Sequence, residues 1–281
     1  MGETTAIAWT DHTFNPWIGC AKVCPECANC YAEGYGQRFG VAWGERGDRR
    51  RTSPSNWRQP LRWHRAAVRD GVRRRVFCAS LADVFEDRAD LEPWRRDLFD
   101  LIEECYGLDW LLLTKRPEDV REMAHRWRGD WPVHVWLGTS AGTQETADRA
   151  IPHLLRVNGP QVRFLSAEPL LGPIDFREVP GFNRVGLDLG GWWVIVGGES
   201  GPRARPCSVS WVRSIVRQCR VASVPVFVKQ LGANYCDTAN GIGGRSTKDP
   251  ELMTLTGRLR DSAGRDMAEW PEDLRVREYP R

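Results

Sequence analysis

Six short runs of apolar residues recur along the chain at nearly regular intervals. Each run is apolar at successive positions and rich in Val, Leu, Ile or Trp, which is typical of parallel strands buried on both faces. Their starts lie 23 to 34 residues apart, which leaves room for a helix between neighbouring strands. The predicted strands fall within residues 76–80, 110–114, 133–140, 162–168, 192–200 and 225–230.

The segments between these runs carry helical patterns. One helix is predicted to end at Gly107, and a second is predicted over 117–128. Pro152 should break a third, because proline lacks the amide hydrogen that a helix interior needs. The predicted capping residues at helix starts are Asp90, Thr143 and Ser208 or Ser210.

Alternating strands and helices predict an α/β fold. With an opening strand within residues 5–17, the chain has about seven strand–helix units, which can close into a partial or full (β/α) TIM-type barrel. A doubly wound open sheet is the alternative. We expect the barrel in residues 1–232, with a loop insertion at 180–191, and an irregular C-terminal cap in residues 233–281.

Composition favours a cytoplasmic protein with reduced cysteines. The 281 residues are 41% apolar, enough to bury a core without disulfides. No signal sequence or apolar run of membrane-spanning length is present in them, so we expect no membrane partner and a cytoplasmic location. In that compartment, clustered cysteines more often bind metal or act in redox chemistry than form disulfides.

The basic residues are concentrated in one segment although the net charge is only +3. Residues 45–75 contain eleven arginines, with Trp57 and Trp63 between them. Arginines interleaved with aromatic residues favour a surface that binds nucleotides or nucleic acid. A solvated basic face is the alternative.

Polar residues follow nearly every predicted strand. Barrel enzymes carry their active sites at these strand ends, and a buried strand has no need of a charge there. For any one residue the alternative is a structural role, such as helix capping or an ion pair of Lys115 with Glu168 or Glu199. The candidate catalytic residues are Lys115, Glu168, Glu199 and Lys229. The candidate residues for binding a cofactor are Ser80, Asp83, Thr139, Ser140, Ser166, Gly197 and Gly198.

Four of the nine cysteines lie within eleven residues, at Cys20, Cys24, Cys27 and Cys30. The first three form a C-x3-C-x2-C pattern, and omitting Cys24 leaves C-x6-C-x2-C. Three thiolates on one loop can hold three irons of a [4Fe–4S] cluster and leave the fourth open, whereas four thiolates would close a cluster or a zinc site. A structural zinc site and free redox thiols are the alternatives.

Several longer motifs resemble those of a known family. They are NPWIGCAKVCPECANCYAE, ASLADVF, LLLTKRPE, VWLGTS, RFLSAEPLLGPID, VIVGGESGPRARP and VFVKQLG, within residues 5–235. In this order they are similar to the phage three-Cys-motif (phage Gp-type) proteins, a radical-SAM-like family of unknown function. SAM here denotes S-adenosylmethionine.

The resemblance implies particular ligands. The three family cysteines fall on Cys20, Cys27 and Cys30, and the position of Cys24 is usually serine, so Cys24 is an extra thiol or an alternative ligand. Radical SAM proteins usually bind the methionine amine through a Gly-Gly-Glu turn after the second strand. ASLADVF stands there in this chain, so Asp83 is the candidate substitute, and Glu199 is a candidate contact for ribose or substrate.

The resemblance therefore implies a radical-SAM-like iron–sulfur enzyme that binds SAM at the barrel mouth and generates a 5′-deoxyadenosyl radical. A nucleotide or DNA-linked group is the candidate substrate, and a reductant protein is a candidate partner. The alternative is a non-catalytic phage protein that is stabilised by a metal such as zinc and binds nucleic acid or another partner.

Overall fold

Short strands and helices alternate through the protein. The computed structural model describes residues 5–127, 130–181, 191–236 and 259–280. The strands are β1 (His12–Thr13), β2 (Trp17–Ile18), β3 (Arg50–Arg51), β4 (Arg74–Cys78), β5 (Leu108–Thr114), β6 (Val135–Ser140), β7 (Arg163–Ala167), β8 (Trp192–Gly197), β9 (Cys207–Ser208), β10 (Val226–Gln230) and β11 (Tyr235–Cys236). The α-helices are α1 (Tyr31–Arg38), α2 (Pro54–Trp57), α3 (Gln59–Asp70), α4 (Glu92–Glu104), α5 (Val120–Met123), α6 (Gln144–Leu155) and α7 (Val209–Val221).

Seven strands form the main sheet, in the order β1-β4-β5-β6-β7-β8-β10. The pairings of β1 with β4, β4 with β5, β5 with β6 and β8 with β10 are parallel. Strand order in the sheet follows chain order, without the reversal that defines a doubly wound sheet. The arrangement is consistent with a partial (β/α) barrel, and each of the six apolar runs overlaps one strand of this sheet.

The ends of β5 and β6 lie in register, which aligns two polar residues. Thr114 pairs with Thr139 across the two strands, and the Thr139 hydroxyl donates a hydrogen bond of 3.0 Å to the Thr114 carbonyl. Both threonines are buried. Because parallel strands end at the same edge, the residues that follow β4 and β5 also come together there.

Two predicted helix caps are confirmed and a third is wrong. Ser208 caps α7 by accepting from the Ser210 amide, and the Thr143 hydroxyl accepts from the Thr146 amide at the start of α6. Asp90 does not cap α4, because its carboxylate binds Arg88 and the chain enters the helix through a 3-10 turn over Ala89–Leu91.

Pro152 lies inside α6 instead of breaking it. It removes one backbone hydrogen bond near the end of the helix, where buried Ile151 and Leu154 hold the last turn in place. The predicted helix over 117–128 is reduced to α5 and a 3-10 turn over His125–Trp127.

The chain divides into two compact units. Unit 1 comprises Met1–Thr139 and His153–Arg163, and unit 2 comprises Ser140–Pro152 and Phe164–Arg281. Each unit buries its own apolar residues: Leu98, Ile102, Trp110 and Leu137 in unit 1, and Phe164, Trp193, Ile215 and Phe227 in unit 2. The predicted domain boundary after residue 232 stays a prediction.

The end of the chain covers the edge strand β10 within unit 2. The Val228 amide donates to the Val276 carbonyl, and the Trp193 indole donates to the Glu278 carbonyl. Residues 259–280 contain two 3-10 turns and a β-bridge from Arg277 to Phe227, whereas residues 237–258 lie outside the described residues, so the irregular cap over 233–281 stays a prediction. Most of the loop predicted at 180–191 also lies outside them.

No helix in the described part of the chain is long and apolar enough to cross a membrane.

Truncation of Leu137 tests the position of β6. Leu137 is fully buried, so Leu137→Ala should lower the free energy of unfolding by about 2–5 kcal/mol through lost burial and a cavity. The control is Val133→Ala, at a position just before β6 that is 63% exposed, and it should change stability by less than about 0.5 kcal/mol. Urea denaturation measures both, and equal losses would contradict the buried position of Leu137.

Candidate functional site

The cysteine loop, which runs from Gly19 to Cys30, begins directly after β2, and backbone hydrogen bonds hold its start in place. Gly19 has φ of +120° and donates its amide to the Leu81 carbonyl, while the Cys20 carbonyl accepts from the Gly44 amide. A Cβ at Gly19 would lie 2.5 Å from the Asp48 carbonyl oxygen. Only glycine fits this position, so the backbone at Cys20 is held between two other segments of unit 1.

Cys24 and Cys27 form a close pair within the loop. A 3-10 turn over Pro25–Cys27 brings the Cys27 amide to the Cys24 carbonyl, and the two Sγ atoms lie 3.5 Å apart. Cys30 follows at the start of α1, where it packs against an apolar cluster that includes Ile18 and Leu81.

Cys20 faces Arg116, the second residue after β5. The guanidinium Nη1 lies 3.7 Å from Cys20 Sγ, and Nη2 donates to the Ala21 carbonyl at 3.0 Å. Arg116 is buried, so its charge is held beside the thiol and away from solvent.

Asp83 orients the end of β5 through four hydrogen bonds. Its Oδ1 accepts from the Phe85 amide at 3.0 Å and the Thr114 hydroxyl at 2.7 Å. Its Oδ2 accepts from the Lys115 amide at 2.9 Å and from Arg116 Nη1 at 3.2 Å. A carboxylate offers about four lone-pair positions, so this one is saturated.

A second buried ion pair lies next to the first. Arg49 Nε donates to Glu86 Oε2 at 2.7 Å, and its Nη1 donates to the carbonyls of Gly47 and Asp48. Glu86 Oε1 also lies 3.6 Å from Arg116 Nη2. The two pairs therefore form one network that joins the 44–49 segment, the 83–86 turn and the end of β5.

The thiols differ in acidity because their surroundings differ. The hydrogen bond from Cys24 lowers the pKa of Cys27 to about 5, and the charge of Lys115 adds to this lowering against the effect of burial. The same hydrogen bond, together with burial, raises the pKa of Cys24. Burial and the charge of Asp83 raise the pKa of Cys20 to about 12, against the opposing effect of Arg116.

The loop has the donor chemistry of a metal or cluster site. Four thiols lie on one short segment, and the cations Lys115 and Arg116 act on them. Across residues 5–127, 130–181, 191–236 and 259–280, however, no three His, Cys, Asp or Glu side chains are arranged to hold a metal ion together. Cys20 and Cys30 would have to turn away from Arg116 and from the apolar cluster to complete a ligand set.

Other predicted residues of unit 1 have structural contacts. The Ser80 hydroxyl accepts from the Asn15 amide group at 3.0 Å, and Asn15 Oδ1 accepts from the Leu81 backbone amide at 2.7 Å. Thr139 lies against Thr114, as described above. These residues hold the ends of β4, β5 and β6 in place.

Unit 2 brings together a different set of predicted residues. Lys229 Nζ lies 3.0 Å from Glu168 Oε1, and the Ser166 hydroxyl donates to Glu168 Oε2 at 3.4 Å. A Cβ at Gly197 would lie 2.9 Å from Glu168 Oε1, and one at Gly198 would lie 2.2 Å from the Leu231 carbonyl oxygen. The two glycines therefore make room for the ion pair and for the chain after β10.

Glu199 has a different partner in the same unit. Its carboxylate accepts from the Arg205 backbone amide at 2.8 Å and from Arg205 Nη2 at 2.7 Å. Glu199 is therefore held within its own loop. Ser140, also assigned to unit 2, is buried.

Sequence reasoning missed Arg49, Glu86 and Asn15. The available signal was the acidic pair in ADVFED, where Glu86 follows Asp83 by three residues. Lys115, for which an ion pair with Glu168 or Glu199 is the structural alternative, influences the thiols, whereas Glu168 pairs with Lys229 and Glu199 with Arg205.

Ion pairs neutralise about half of the arginines in the Arg-rich segment 45–75. Trp63 is buried and stacked on His12 at 4.3 Å, so it offers no free face for a base. The guanidinium of Arg51 lies 4.2 Å from the ring centroid of half-buried Trp57. Six of the eleven arginines in this segment have carboxylate partners: Arg49, Arg51, Arg69, Arg73, Arg74 and Arg75.

Comparison with known proteins places the chain in a family. The sequence profile described as "Protein of unknown function (DUF5131)" matches residues 4–269. The chain belongs to this family. No curated protein and no solved structure matches it. The DUF5131 match covers the cysteine loop, the Asp83 network and the Glu168–Lys229 pair.

Replacement of Asp83 tests the buried network. Asp83→Asn removes the charge that faces Arg116, so it should lower the free energy of unfolding by about 2–3 kcal/mol. The control is Asp90→Asn, which breaks an exposed pair with Arg88 and should cost less than about 1 kcal/mol. Urea denaturation compares them, and a smaller loss for Asp83→Asn would contradict the role of this carboxylate.

The acidity of Cys27 can be measured in the metal-free protein. Because its pKa is lowered to about 5, the ultraviolet absorbance of the thiolate should rise as the pH increases through this value. Cys27→Ser should abolish that step. Cys219→Ser should leave it intact, because burial raises the pKa of Cys219 to about 12. A step that first appears near pH 8 or 9, the range of an ordinary thiol, would show that Cys24 does not activate Cys27.

Proposed function

We propose that this DUF5131 protein is a radical-SAM-like iron–sulfur enzyme whose cluster is held by Cys20, Cys27 and Cys30. The observation that carries the proposal is the placement of four thiols on one loop of unit 1 with Lys115 and Arg116 acting on them. The motif resemblance to the phage three-Cys-motif proteins supports the same assignment.

Arg116 and Lys115 would balance the negative charge of the bound thiolates. Arg116 directs Nη1 toward Cys20 Sγ, and it is buried. Hydrogen bonds and charges near the sulfurs set the stability and reduction potential of such a site. Reductive cleavage of SAM is the chemistry that the cluster would supply when bound.

Asp83 would act as a positioning residue and not as the ligand of the SAM amine. Its two oxygens already accept four hydrogen bonds, and it is only 5% exposed. Through Oδ2 it fixes the Lys115 backbone and the Arg116 side chain together. Substitution at Asp83 should therefore disturb both cations at once.

Glu168 and Lys229 would supply the polar contacts of unit 2. The Lys229 side chain is 25% exposed and that of Glu168 is 11% exposed, so a ligand could reach the pair. Together they can bind a charged group or exchange a proton with it. Glu199 is bound to Arg205 and is a weaker candidate for ribose or substrate contact.

A second candidate is a zinc-stabilised binding protein without turnover. It is favoured by the distance of 3.5 Å between Cys24 Sγ and Cys27 Sγ. Two ligands of one tetrahedral zinc ion lie about 3.8 Å apart, since each Zn–S bond is about 2.3 Å. Sulfurs bound to different irons of a cluster lie farther apart. All four cysteines would then bind one ion.

Anaerobic reconstitution with iron and sulfide separates these candidates. The enzyme proposal expects about four irons per chain, with an electron paramagnetic resonance signal after reduction. Cys20→Ser, Cys27→Ser and Cys30→Ser should each reduce the iron content strongly. Cys24→Ser is the matched control within the same loop and should retain the cluster.

Addition of SAM and a reductant then tests turnover. The loaded protein should release 5′-deoxyadenosine, and the three ligand variants should not. A fully loaded protein that releases none would contradict the enzyme proposal. Tight zinc binding that requires Cys24 as much as Cys20 would support the second candidate.

A further inference from the structure

Helix α1, which follows the cysteine loop, buries two small residues and exposes its aromatic ones. On α1, Ala32 and Gly36 are the buried positions. A Cβ at Gly36 would lie 2.8 Å from the Trp43 ring, so only glycine fits beneath it. The inner face of α1 is therefore built from its smallest side chains.

The outer face of α1 carries large aromatic side chains. Tyr31 is 54% exposed, Tyr35 is 48% exposed, and Phe39, directly after the helix, is 49% exposed. They are spaced four residues apart, so they lie along one face, and the Tyr31 and Tyr35 ring centroids are 6.3 Å apart. Single exposed aromatics are ordinary, but a row of three on one helix face marks an interaction surface.

Two arginines lie on the rings of this row. The Arg38 guanidinium is 5.4 Å from the Tyr35 ring centroid, and that of Arg50 is 5.9 Å from the Phe39 ring centroid. Within the described ranges neither arginine forms an ion pair with a carboxylate, although six arginines of the 45–75 segment do. Positive charge thus remains available beside the exposed rings.

We propose that the aromatic stripe, defined as Tyr31, Tyr35, Phe39, Arg38 and Arg50, binds single-stranded nucleic acid. Exposed rings stack on unpaired bases, and arginines beside them bind the phosphates of the same strand. A paired duplex keeps its base faces covered and would engage only the arginines.

The charges of the stripe favour nucleic acid over a protein partner. Two arginines without carboxylate partners would have to lose water on entering an apolar protein interface, which costs free energy unless acidic groups meet them. A polyanionic strand supplies those groups at every nucleotide. Of the aromatic residues first expected to serve this purpose, Trp63 is buried, and Trp57 is half-buried beside Arg51, which is paired with Asp97.

With the proposed function, the stripe assigns single-stranded nucleic acid as the substrate class of the enzyme. Binding of the strand depends on the surface of unit 1 and not on the cluster. Tyr31 follows Cys30 directly, so a bound strand would lie on the helix that begins at the last cysteine of the loop. The two proposals can therefore fail separately.

Fluorescence anisotropy with a labelled oligothymidylate of about 15 nucleotides tests the proposal on the full chain. Tyr31→Ala, Tyr35→Ala and Phe39→Ala should each raise the Kd at least about fivefold, the equivalent of one lost stacking contact. Tyr106→Ala is the matched control, since Tyr106 is 60% exposed elsewhere in unit 1, and it should leave the Kd unchanged.

The arginines are tested by the salt dependence of the same affinity. Arg38→Gln and Arg50→Gln should each reduce the slope of log K against log salt by about 0.7, the value for one phosphate contact on a single strand. A duplex of the same length should bind more weakly than the single strand. Thermal melting of each variant should match the parent protein, because the changed residues are exposed.

Two outcomes would overturn the proposal. One is a Kd for the ring variants equal to that of Tyr106→Ala, which would leave the stripe to a protein partner. The other is the absence of salt-dependent binding by the parent protein. The measurement is repeated with Cys20→Ser: an unchanged Kd after loss of the cluster would support binding by the stripe alone, whereas a Kd raised as much as in the ring variants would overturn it.

Discussion

The buried ion pair between Asp83 and Arg116 is the interaction on which the arrangement of unit 1 depends. A charge removed from water is costly unless it is paired and hydrogen-bonded, and here both partners are. Asp83 accepts from three backbone or side-chain groups besides Arg116, and Arg116 reaches both Cys20 and Ala21. The turn after β4, the end of β5 and the start of the cysteine loop are consequently held as one piece.

The chemistry of the thiols follows from this arrangement. The hydrogen bonds of Asp83 to the Lys115 backbone and the Arg116 side chain hold two cations against a loop of sulfur ligands. Positive charge at that position favours thiolates, which are the form that binds metal. Cys27 shows the effect most directly, because Cys24 donates a hydrogen bond to its sulfur and Lys115 adds to its acidity, whereas burial raises the pKa of Cys20 and of Cys30. The positive charges of Lys115 and Arg116 would offset the repulsion between thiolates that bind a metal or cluster.

Unit 2 uses the same physical means for a different pair. Lys229 lies near the end of β10 and Glu168 follows β7, and Gly197 at the end of β8 leaves the space that the carboxylate occupies. The pair is more exposed than the Asp83–Arg116 pair, so it has less structural value and more freedom to meet a ligand. The aromatic stripe on α1 is also more exposed than a structural role requires. Exposure therefore distinguishes the surfaces that are suited to binding from the buried residues that support them.

The sequence by itself determined the strands, the order of alternating elements and the cysteine loop. Its apolar runs had to be buried on both faces, which leaves few alternatives to a parallel sheet, and four thiols in eleven residues are close in any fold. It also placed Asp83, Lys115 and Glu168 near strand ends. Only the tertiary structure decided their partners. Arg49 and Glu86 meet across 37 residues, Asn15 and Leu81 across 66, and Pro152 is tolerated because the buried face of α6 outweighs one lost hydrogen bond. Exposure of Tyr31, Tyr35 and Phe39 and burial of Trp63 were likewise decided by packing, because local pattern specifies which residues are apolar but not which of them the neighbouring elements will cover.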